Sequence, residues 1–266
     1  MHPTAEGALA PPPRSAKPRA RGLTSVIDFG PDGFGWTGPR GVADLLACAA
    51  DTIDFAKIYA LNALLMPMPV VTEIVGLYRD AGVAPYTGGI LFEHAYRQGE
   101  MDGLADHLGR VGIGMLEISE NYITLSDDER NRHIDRFQRA GFKVIYEFGR
   151  KNPEAPFDID ALEALVSDLL SRGVAHVIVE QSEIDMLVGS APDRLADLAA
   201  RPFFQDVLIE ADPYRFPKQH VEMIRTFGRE VNLANVAAAQ ALRLEGLRRG
   251  IGRAVDYSLF AETAPR

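Results

Sequence analysis

Glutamate side chains end one apolar segment of this sequence after another. The runs KVIYE, HVIVE and VLIE end in Glu147, Glu180 and Glu210, and the run GMLE ends in Glu117. Burying an unpaired carboxylate is costly, and four carboxylates brought together would repel one another. A positive charge must therefore lie among them. Carboxylates that surround a positive charge indicate either a metal site or acid–base chemistry.

The positive charge can come from lysine side chains or from a bound metal ion. Lys57 ends the segment TIDFAK, and Lys151 follows Glu147 in EFGRK. The other source is a divalent cation held by the glutamates. A ligand set made only of oxygen atoms, without Cys or His, favours Mg²⁺ or Mn²⁺ over Zn²⁺. Any one of these glutamates could instead form a structural salt bridge, but the set of four on successive segments favours a functional site.

Further polar residues stand at the ends of the remaining apolar segments. Asp28 ends the first, the pair Gly88 and Gly89 follows the third, and Asn232 and Asn235 lie in the last. Paired glycines that open a helix let backbone N–H groups approach an anion, although a Gly-Gly pair is also typical of a tight turn. The two asparagines stand where many barrels hold phosphate, or they are helix caps.

The elements that carry these residues alternate strictly between strand and helix. The eight apolar strand segments are LTSVIDFG, TIDFAKIY, VAPYTGG, GMLEIS, FKVIYEFG, AHVIVEQ, DVLIEAD and REVNLANV. A helix-period segment follows each strand, which predicts a parallel sheet. Eight such units fit a single-domain (β/α)8 TIM barrel, in which strand ends converge at one mouth. An open doubly wound sheet is the alternative, but DFGPDG after the first strand lacks the GxGxxG spacing.

Composition limits the domain organisation and the partners. Residues 1–21 are rich in Pro, Ala and Arg and are predicted to be a disordered tail, with the barrel over residues 22–266. The chain carries a net charge of −9, and the tail is basic, so the barrel is acidic and nucleic acid is not an expected partner. The single cysteine, Cys48, fits a reducing cytoplasm. No apolar run approaches the ~18 residues that cross a membrane.

The motifs resemble those of the phosphosulfolactate synthase family of coenzyme M biosynthesis, in the same order and spacing. They are RGLTSVIDFG, DTIDFAK, GGILFE, LEIS, GFKVIYEFGRK, VIVE, VLIEA, FGREVNLANV and LEGLRRG, which together cover nearly the whole chain after the tail. The resemblance implies a (β/α)8 barrel, and we expect a homo-oligomer, a trimer or larger being one option. It also implies Mg²⁺-dependent addition of sulfite to phosphoenolpyruvate, with a lysine that protonates C3 after sulfite adds at C2.

The resemblance and the strand-end pattern together assign roles to thirteen residues. The predicted catalytic residues are Lys57, Lys151, Glu117 and Asp28. A small anionic substrate is expected at Gly88, Gly89, Glu93, Arg150, Asn232 and Asn235. The predicted ligands of Mg²⁺ or Mn²⁺ are Glu147, Glu180 and Glu210.

Two departures from the family pattern fall where a phosphate would be gripped. The small, hydroxyl-bearing Gly-Trp-Gly-Thr-Ser run after Lys57 is replaced by residues 58–63, IYALNA, and the arginine expected after Glu180 is absent. We therefore expect a carbon–sulfur synthase of this type that adds a sulfur nucleophile to a phosphoenolpyruvate-like or other small unsaturated acid. Authentic phosphosulfolactate synthase, with Arg150 and Lys151 replacing the lost arginine, is one alternative. A non-catalytic stress- or binding-type relative is the other.

Overall fold

The computed structural model describes residues 11–31, 38–151, 153 and 156–258, and within them eight parallel strands close into a barrel. The strands are β1 Thr24–Asp28, β2 Phe55–Ile58, β3 Ala84–Thr87, β4 Met115–Ile118, β5 Lys143–Phe148, β6 His176–Val179, β7 Val207–Glu210 and β8 Leu233–Ala237. Each strand pairs with the next along the chain, and β8 closes the barrel against β1. The predicted (β/α)8 barrel is confirmed.

Helices alternate with the strands. In the described ranges they are α1 Pro39–Ala49, α2 Asn62–Leu65, α3 Met68–Asp80, α4 Gly89–Gln98, α5 Met101–Val111, α6 Asp127–Arg139, α7 Ile159–Ser171, α8 Gln181–Ser190, α9 Arg194–Ala200, α10 Lys218–Phe227 and α11 Ala241–Arg248. One helix-period segment of the sequence covers residues 91–112, and the structure divides it between α4 and α5. Gly99 ends α4 because it adopts a left-handed conformation with a φ of 71°. None of these helices is long and apolar enough to cross a membrane.

Alternation along the strands places a charged layer directly above an apolar one. In five strands the inward residue of the lower layer is apolar, and the residue two positions later is charged. The apolar members are Phe55, Met115, Ile145, Ile178 and Leu208, and the charged members above them are Lys57, Glu117, Glu147, Glu180 and Glu210. The outward residues of the same strands pack against the helices in a separate, larger core. The two-residue period therefore decides which side chains meet inside the barrel.

Basic side chains within residues 11–21 contact the barrel, and the disorder expected of residues 1–21 stays a prediction. The Arg14 guanidinium is 3% exposed and forms ion pairs with Glu230 and Glu245. Lys17 donates hydrogen bonds to the carbonyls of Ala50 and Ile53, at 3.1 and 2.6 Å. These partners precede β2 and β8 or belong to α11, so the basic segment covers part of the N-terminal end of the barrel. The partners of these basic side chains are far away in sequence, so composition alone could not indicate the contacts. Residues 1–10 lie outside the described residues.

Candidate active site

The C-terminal ends of the strands bring six ionisable side chains into one cluster, which we call the charged cage. Its members are Lys57, Glu117, Glu147, Lys151, Glu180 and Glu210. The four glutamates and Lys57 are each at most 5% exposed. Lys151 lies in the loop after β5, and its side chain is 36% exposed. The structure thus brings together the four strand-end glutamates and both lysines that the sequence selected.

Lys57 balances the glutamates on one side of the cage. Its Nζ lies 2.9 Å from Glu117 Oε2 and 3.6 Å from Glu147 Oε2. Burial alone would lower the pKa of Lys57, but these carboxylates hold the pKa well above its ordinary value, so the side chain is an ammonium. Burial raises the pKa of Glu117 to about 7 despite the nearby lysine. Lys57 is therefore protonated at neutral pH and cannot act as a base. The Glu117 carboxyl titrates near neutrality.

Lys151 balances the other side, where three carboxylates converge. Its Nζ lies 2.6 Å from Glu180 Oε2 and 3.3 Å from Glu210 Oε1. Glu147, Glu180 and Glu210 each offer one carboxylate oxygen, and these three atoms lie within 4.8 Å of one another. Burial, and next the Glu147 charge, raise the pKa of Glu210 well above its usual value. Burial would also raise the pKa of Glu147, but Lys57 and Lys151 outweigh it and lower that pKa.

The charge balance of the cage fits a divalent cation. Four carboxylates face two ammonium groups, so the fully ionised cage carries two uncompensated negative charges. Glu210 Oε2 and Asn235 Oδ1 are buried and have no hydrogen-bond partner among the described residues. Oxygen ligands with excess negative charge are what Mg²⁺ and Mn²⁺ require. Glu147, Glu180 and Glu210 are thus able to hold such an ion, and Asn235 lies beside them.

The glycine pair after β3 serves close packing inside the protein. Gly89 opens α4, and its N–H donates to Glu117 Oε1 at 2.6 Å. The helix N-terminus therefore faces a carboxylate of the protein itself, where the sequence analysis expected a substrate anion. A Cβ on Gly89 would lie 2.5 Å from the Cβ of Ser119, so only glycine fits there. At Gly88 a Cβ would lie 3.4 Å from the Lys57 side chain.

Glu93, predicted as a substrate ligand, holds the loop after β4. Its carboxylate is 3% exposed and accepts hydrogen bonds from the N–H groups of Asn121 and Tyr122, each at 2.8 Å. The hydroxyl of Ser119 donates to the same carboxylate. All these donors belong to the protein, so the structure shows Glu93 as a support of this loop, and its substrate role stays a prediction. Asn121 in turn donates to Glu147 Oε1 at 2.6 Å, which connects the loop to the charged cage.

Asp28, predicted as a catalytic residue, is engaged outside the cage. Its Oδ2 accepts a hydrogen bond from the Tyr78 hydroxyl of α3 at 2.9 Å, and its Oδ1 accepts from the Gly30 N–H at 2.8 Å. Burial raises the pKa of Asp28, and the two hydrogen bonds oppose that rise. The carboxylate thus points towards α3 and stabilises the turn after β1.

The two asparagines of the last strand lie at different ends of the barrel. Asn232 precedes β8, and its amide bonds to the carbonyls of Gln205 and Val207 at the N-terminal end. It is therefore not a mouth residue, because β8 begins at Leu233, four residues after the start of the predicted segment REVNLANV. Asn235 lies within β8 and donates to Glu210 Oε1. Only Asn235 belongs to the site.

Two residues that sequence reasoning did not select hold the loop that carries Lys151. The Ser182 hydroxyl donates to the Lys151 carbonyl at 2.9 Å, and Glu183 Oε1 accepts from the Arg150 N–H at 3.2 Å. Gly149 allows this approach, since a Cβ there would lie 2.5 Å from the Glu183 side chain. The Arg150 guanidinium is exposed and donates to the Thr124 hydroxyl at 2.8 Å. The segment QSE after Glu180 contains both residues. The sequence analysis noted only that this segment lacks an arginine.

Comparison with known proteins matches the chain to a family of synthases. The family model described as (2R)-phospho-3-sulfolactate synthase matches residues 12–253. The chain belongs to the phosphosulfolactate synthase family. Its members are enzymes that form a carbon–sulfur bond, and this chain is an enzyme of that type. The matched range includes every residue of the charged cage.

Individual relatives support the same assignment. The phosphosulfolactate synthase of Methanocaldococcus jannaschii is 34% identical over 240 residues, covering 87% of this chain and 92% of the relative. That of Bacillus subtilis is 27% identical over 248 residues, covering 90% and 94%. Among solved structures, N-acetylneuraminate lyase from Fusobacterium nucleatum has a TM-score of 0.54 at 12% identity, covering 91% of this chain and 78% of that one. Deoxyribose phosphate aldolase from Aeropyrum pernix has a TM-score of 0.51 at 15% identity, covering 86% and 91%. At these identities the structures share only the fold.

The loop after β2 contains a non-glycine residue in a left-handed conformation. Ala60 adopts a left-handed φ of 41°, in the place where the family pattern has a glycine. Such a conformation costs a non-glycine residue about 1 kcal/mol. Asn62 donates to the Phe29 carbonyl at 2.8 Å and ties this loop to the turn after β1. The loop thus has a left-handed turn at Ala60 and is held against the turn after β1.

Proposed function

We propose that the protein is a Mg²⁺-dependent synthase that adds sulfite to a small unsaturated acid of the phosphoenolpyruvate type, with a changed anion-binding edge. The observation that carries the proposal is the cluster of Glu147, Glu180 and Glu210 between two ammonium groups. A bound Mg²⁺ would stabilise the negative charge that develops on the substrate carboxylate. The two lysines and Glu117 are available for proton transfer in the same enclosed space.

The proposed chemistry forms one carbon–sulfur bond and one carbon–hydrogen bond. The lone pair of sulfite sulfur attacks C3 of the enol acid, and the double-bond electrons move to C2 and the carboxylate. An ammonium group then gives a proton to C2, and the resulting amine recovers a proton from bisulfite or solvent. The 3-sulfo product named for the family requires this direction, the reverse of the C2 attack and C3 protonation that the resemblance suggested.

Lys151 is the proposed proton donor. Its side chain is 36% exposed and reaches the carboxylates from the open side of the cage, where a substrate enters. Burial would lower its pKa, but Glu210, Glu147 and Glu180 raise it, so the group is protonated before substrate binds. Lys57 is buried beneath and bonded to Glu117, so it holds the charge balance and stabilises negative charge without direct access from solvent.

The experiment follows sulfite consumption in the presence of Mg²⁺ and phosphoenolpyruvate. We expect turnover that EDTA removes and that Glu180→Gln abolishes. Lys151→Arg keeps the positive charge but cannot release a proton, so it is expected to lose turnover while still binding substrate. In D₂O the product should carry one deuterium at C2.

A second arm tests whether the anion-binding edge has changed. Fumarate and acrylate, which lack a phosphate, replace phosphoenolpyruvate in the same assay. Turnover of these acids without turnover of phosphoenolpyruvate supports the changed edge, and turnover of phosphoenolpyruvate alone supports authentic phosphosulfolactate synthase. If no acid is turned over and Mg²⁺ does not raise the melting temperature, the enzymatic proposal is wrong and the non-catalytic alternative gains.

A further inference from the structure

A second cavity lies at the end of the barrel opposite the charged cage. Its volume is about 460 Å³, which falls in the range of small-molecule sites. Five of the residues that line it are the first residues of five successive strands. They are Phe55, Ala84, Met115, Lys143 and His176. The cavity is therefore formed by the strand starts together with the loops that precede β3, β4 and β6.

The lining combines an apolar floor with a basic rim. Phe55, Pro85 and Met115 supply apolar surface, and the Phe55 ring meets the His176 ring edge-on at a centroid distance of 5.0 Å. Lys143 and Arg79 supply exposed positive charge, and among the described lining residues none is acidic. The Arg79 guanidinium also lies 3.7 Å from Asp80 Oδ1, in an exposed ion pair that a ligand carboxylate would have to share or replace. A cavity wall with basic and no acidic side chains is unusual in a chain of net charge −9. Charge complementarity therefore favours an anion with an apolar body.

His176 adds a neutral polar group to the cavity wall. Burial, with a smaller contribution from Lys143, lowers the pKa of His176 to about 4. At neutral pH the imidazole is therefore uncharged, and it has one nitrogen that donates and one that accepts. Such a group can orient a carboxylate or a hydroxyl without adding a buried charge.

The cavity is separate from both the charged cage and the basic N-terminal segment. The interior cluster of Tyr86, Ile145, Ile178 and Leu208 lies between the cavity and the cage. The side chains of Arg14, Lys17, Arg19 and Arg21 bond to residues 22, 50–54, 205, 230 and 245, which lie around β1, β2, β7 and β8. The sector formed by the starts of β3 to β6 stays open.

We propose that this cavity binds a small aromatic or aliphatic monocarboxylate, with its apolar body on Phe55 and Met115 and its carboxylate between Arg79 and Lys143. The site does not depend on the reaction proposed for the charged cage. It gives the protein a second ligand site at the N-terminal end of the barrel, where Phe55 lies two residues before Lys57 on β2.

The probe is benzoate, with benzyl alcohol as a neutral molecule of similar shape, and binding is measured by saturation-transfer NMR and calorimetry. Gly114→Leu fills the cavity, because Gly114 lines it and a Cβ there meets nothing within 4 Å. Gly109→Leu on α5 is the matched control, since its Cβ also meets nothing within 4 Å and Gly109 is outside the cavity lining.

We expect benzoate to bind the wild type, to bind Gly114→Leu at least ten-fold more weakly, and to bind Gly109→Leu unchanged. Lys143→Ala should weaken benzoate about five-fold, with little change for benzyl alcohol, because only the anion uses the charge. Absence of saturable benzoate binding to the wild type overturns the proposal. Binding that survives Gly114→Leu but disappears in Lys151→Met places benzoate in the charged cage and overturns it equally.

Discussion

Removing Lys57 should destabilise the protein strongly, and the loss should grow as the pH rises. The lysine is 4% exposed and lies 2.9 Å from Glu117 and 3.6 Å from Glu147. Breaking a buried ion pair by removing one partner costs about 3–5 kcal/mol. We therefore expect Lys57→Met to lower the free energy of unfolding by about 4 kcal/mol at pH 8, in EDTA.

The pH dependence of this loss follows from Glu117. Its pKa is about 7 in the folded wild type and about 4.5 as a free side chain, so folding favours its protonated form. A carboxyl with a raised folded pKa contributes most stability below pH 4.5 and loses it as the pH rises through the folded value. From pH 6 to pH 8 the wild type loses about 1.4 kcal/mol by this route. Without Lys57 the pKa rises further, so the variant loses up to about 2.7 kcal/mol over the same interval.

The assay is urea unfolding at pH 6 and pH 8 in EDTA. The penalty of Lys57→Met should be about 1.3 kcal/mol larger at pH 8 than at pH 6. Lys143→Met, at an exposed lysine of the opposite barrel end, should change stability by less than about 0.5 kcal/mol at both values. In the double variant Lys57→Met with Glu117→Gln, the part of the pH dependence that Glu117 contributes should vanish. A penalty below about 1 kcal/mol, or one that is equal at the two pH values, would show that Lys57 and Glu117 are not a coupled buried pair.

Three further predictions concern the cage, its supporting loop and a buried histidine. Glu210→Gln should raise the melting temperature in EDTA and reduce the rise caused by Mg²⁺, because it removes a costly buried charge and a proposed ligand; a Mg²⁺ effect equal to that of the wild type would contradict the ligand role. Glu183→Ala should lower kcat for sulfite consumption more than Glu183→Gln, which keeps an acceptor for the Arg150 N–H, and equal kcat values would contradict the positioning role. Burial lowers the pKa of His220 to about 4, against 6.5 in the unfolded chain. Its contribution to stability, about 3 kcal/mol, is therefore lost as the pH falls from 6.5 to 4. His220→Leu should flatten this part of the curve of stability against pH in calorimetry, and an unchanged slope would refute the assignment.

The barrel and the cage could be predicted because both depend on a simple period. Apolar segments of four to six residues recur between helical segments, and inward positions recur every second residue along a strand. Glu147, Glu180 and Glu210 each follow an inward apolar residue by two positions, so the same register that buries the apolar layer brings the carboxylates together. This part of the site could therefore be predicted from the spacing of residues in the sequence.

The direction of single side chains could not be predicted where both faces of a strand are apolar. Asp28 ends β1, and Glu147 lies near the end of β5. Glu147 points into the barrel, whereas Asp28 lies on the outer face of its strand and bonds to Tyr78 of α3. Asn232 and Asn235 differ by three residues, and their division between the two barrel ends depended on where β8 begins. Glu93 is used by N–H groups of the loop after β4, whose path only the folded chain defines.

The clustering of acid at the strand ends lowers the stability of the protein, and the proposed cation binding would explain why it is kept. A protein selected for stability alone would replace Glu210 by an apolar residue of similar volume, since burial and the Glu147 charge both oppose its ionisation. The two lysines offset part of the cost, but two negative charges remain when all four glutamates are ionised. Divalent cation binding would release the protons that Glu117 and Glu210 otherwise retain. Affinity for the cation should therefore rise with pH through neutrality, while the stability of the metal-free protein falls over the same range.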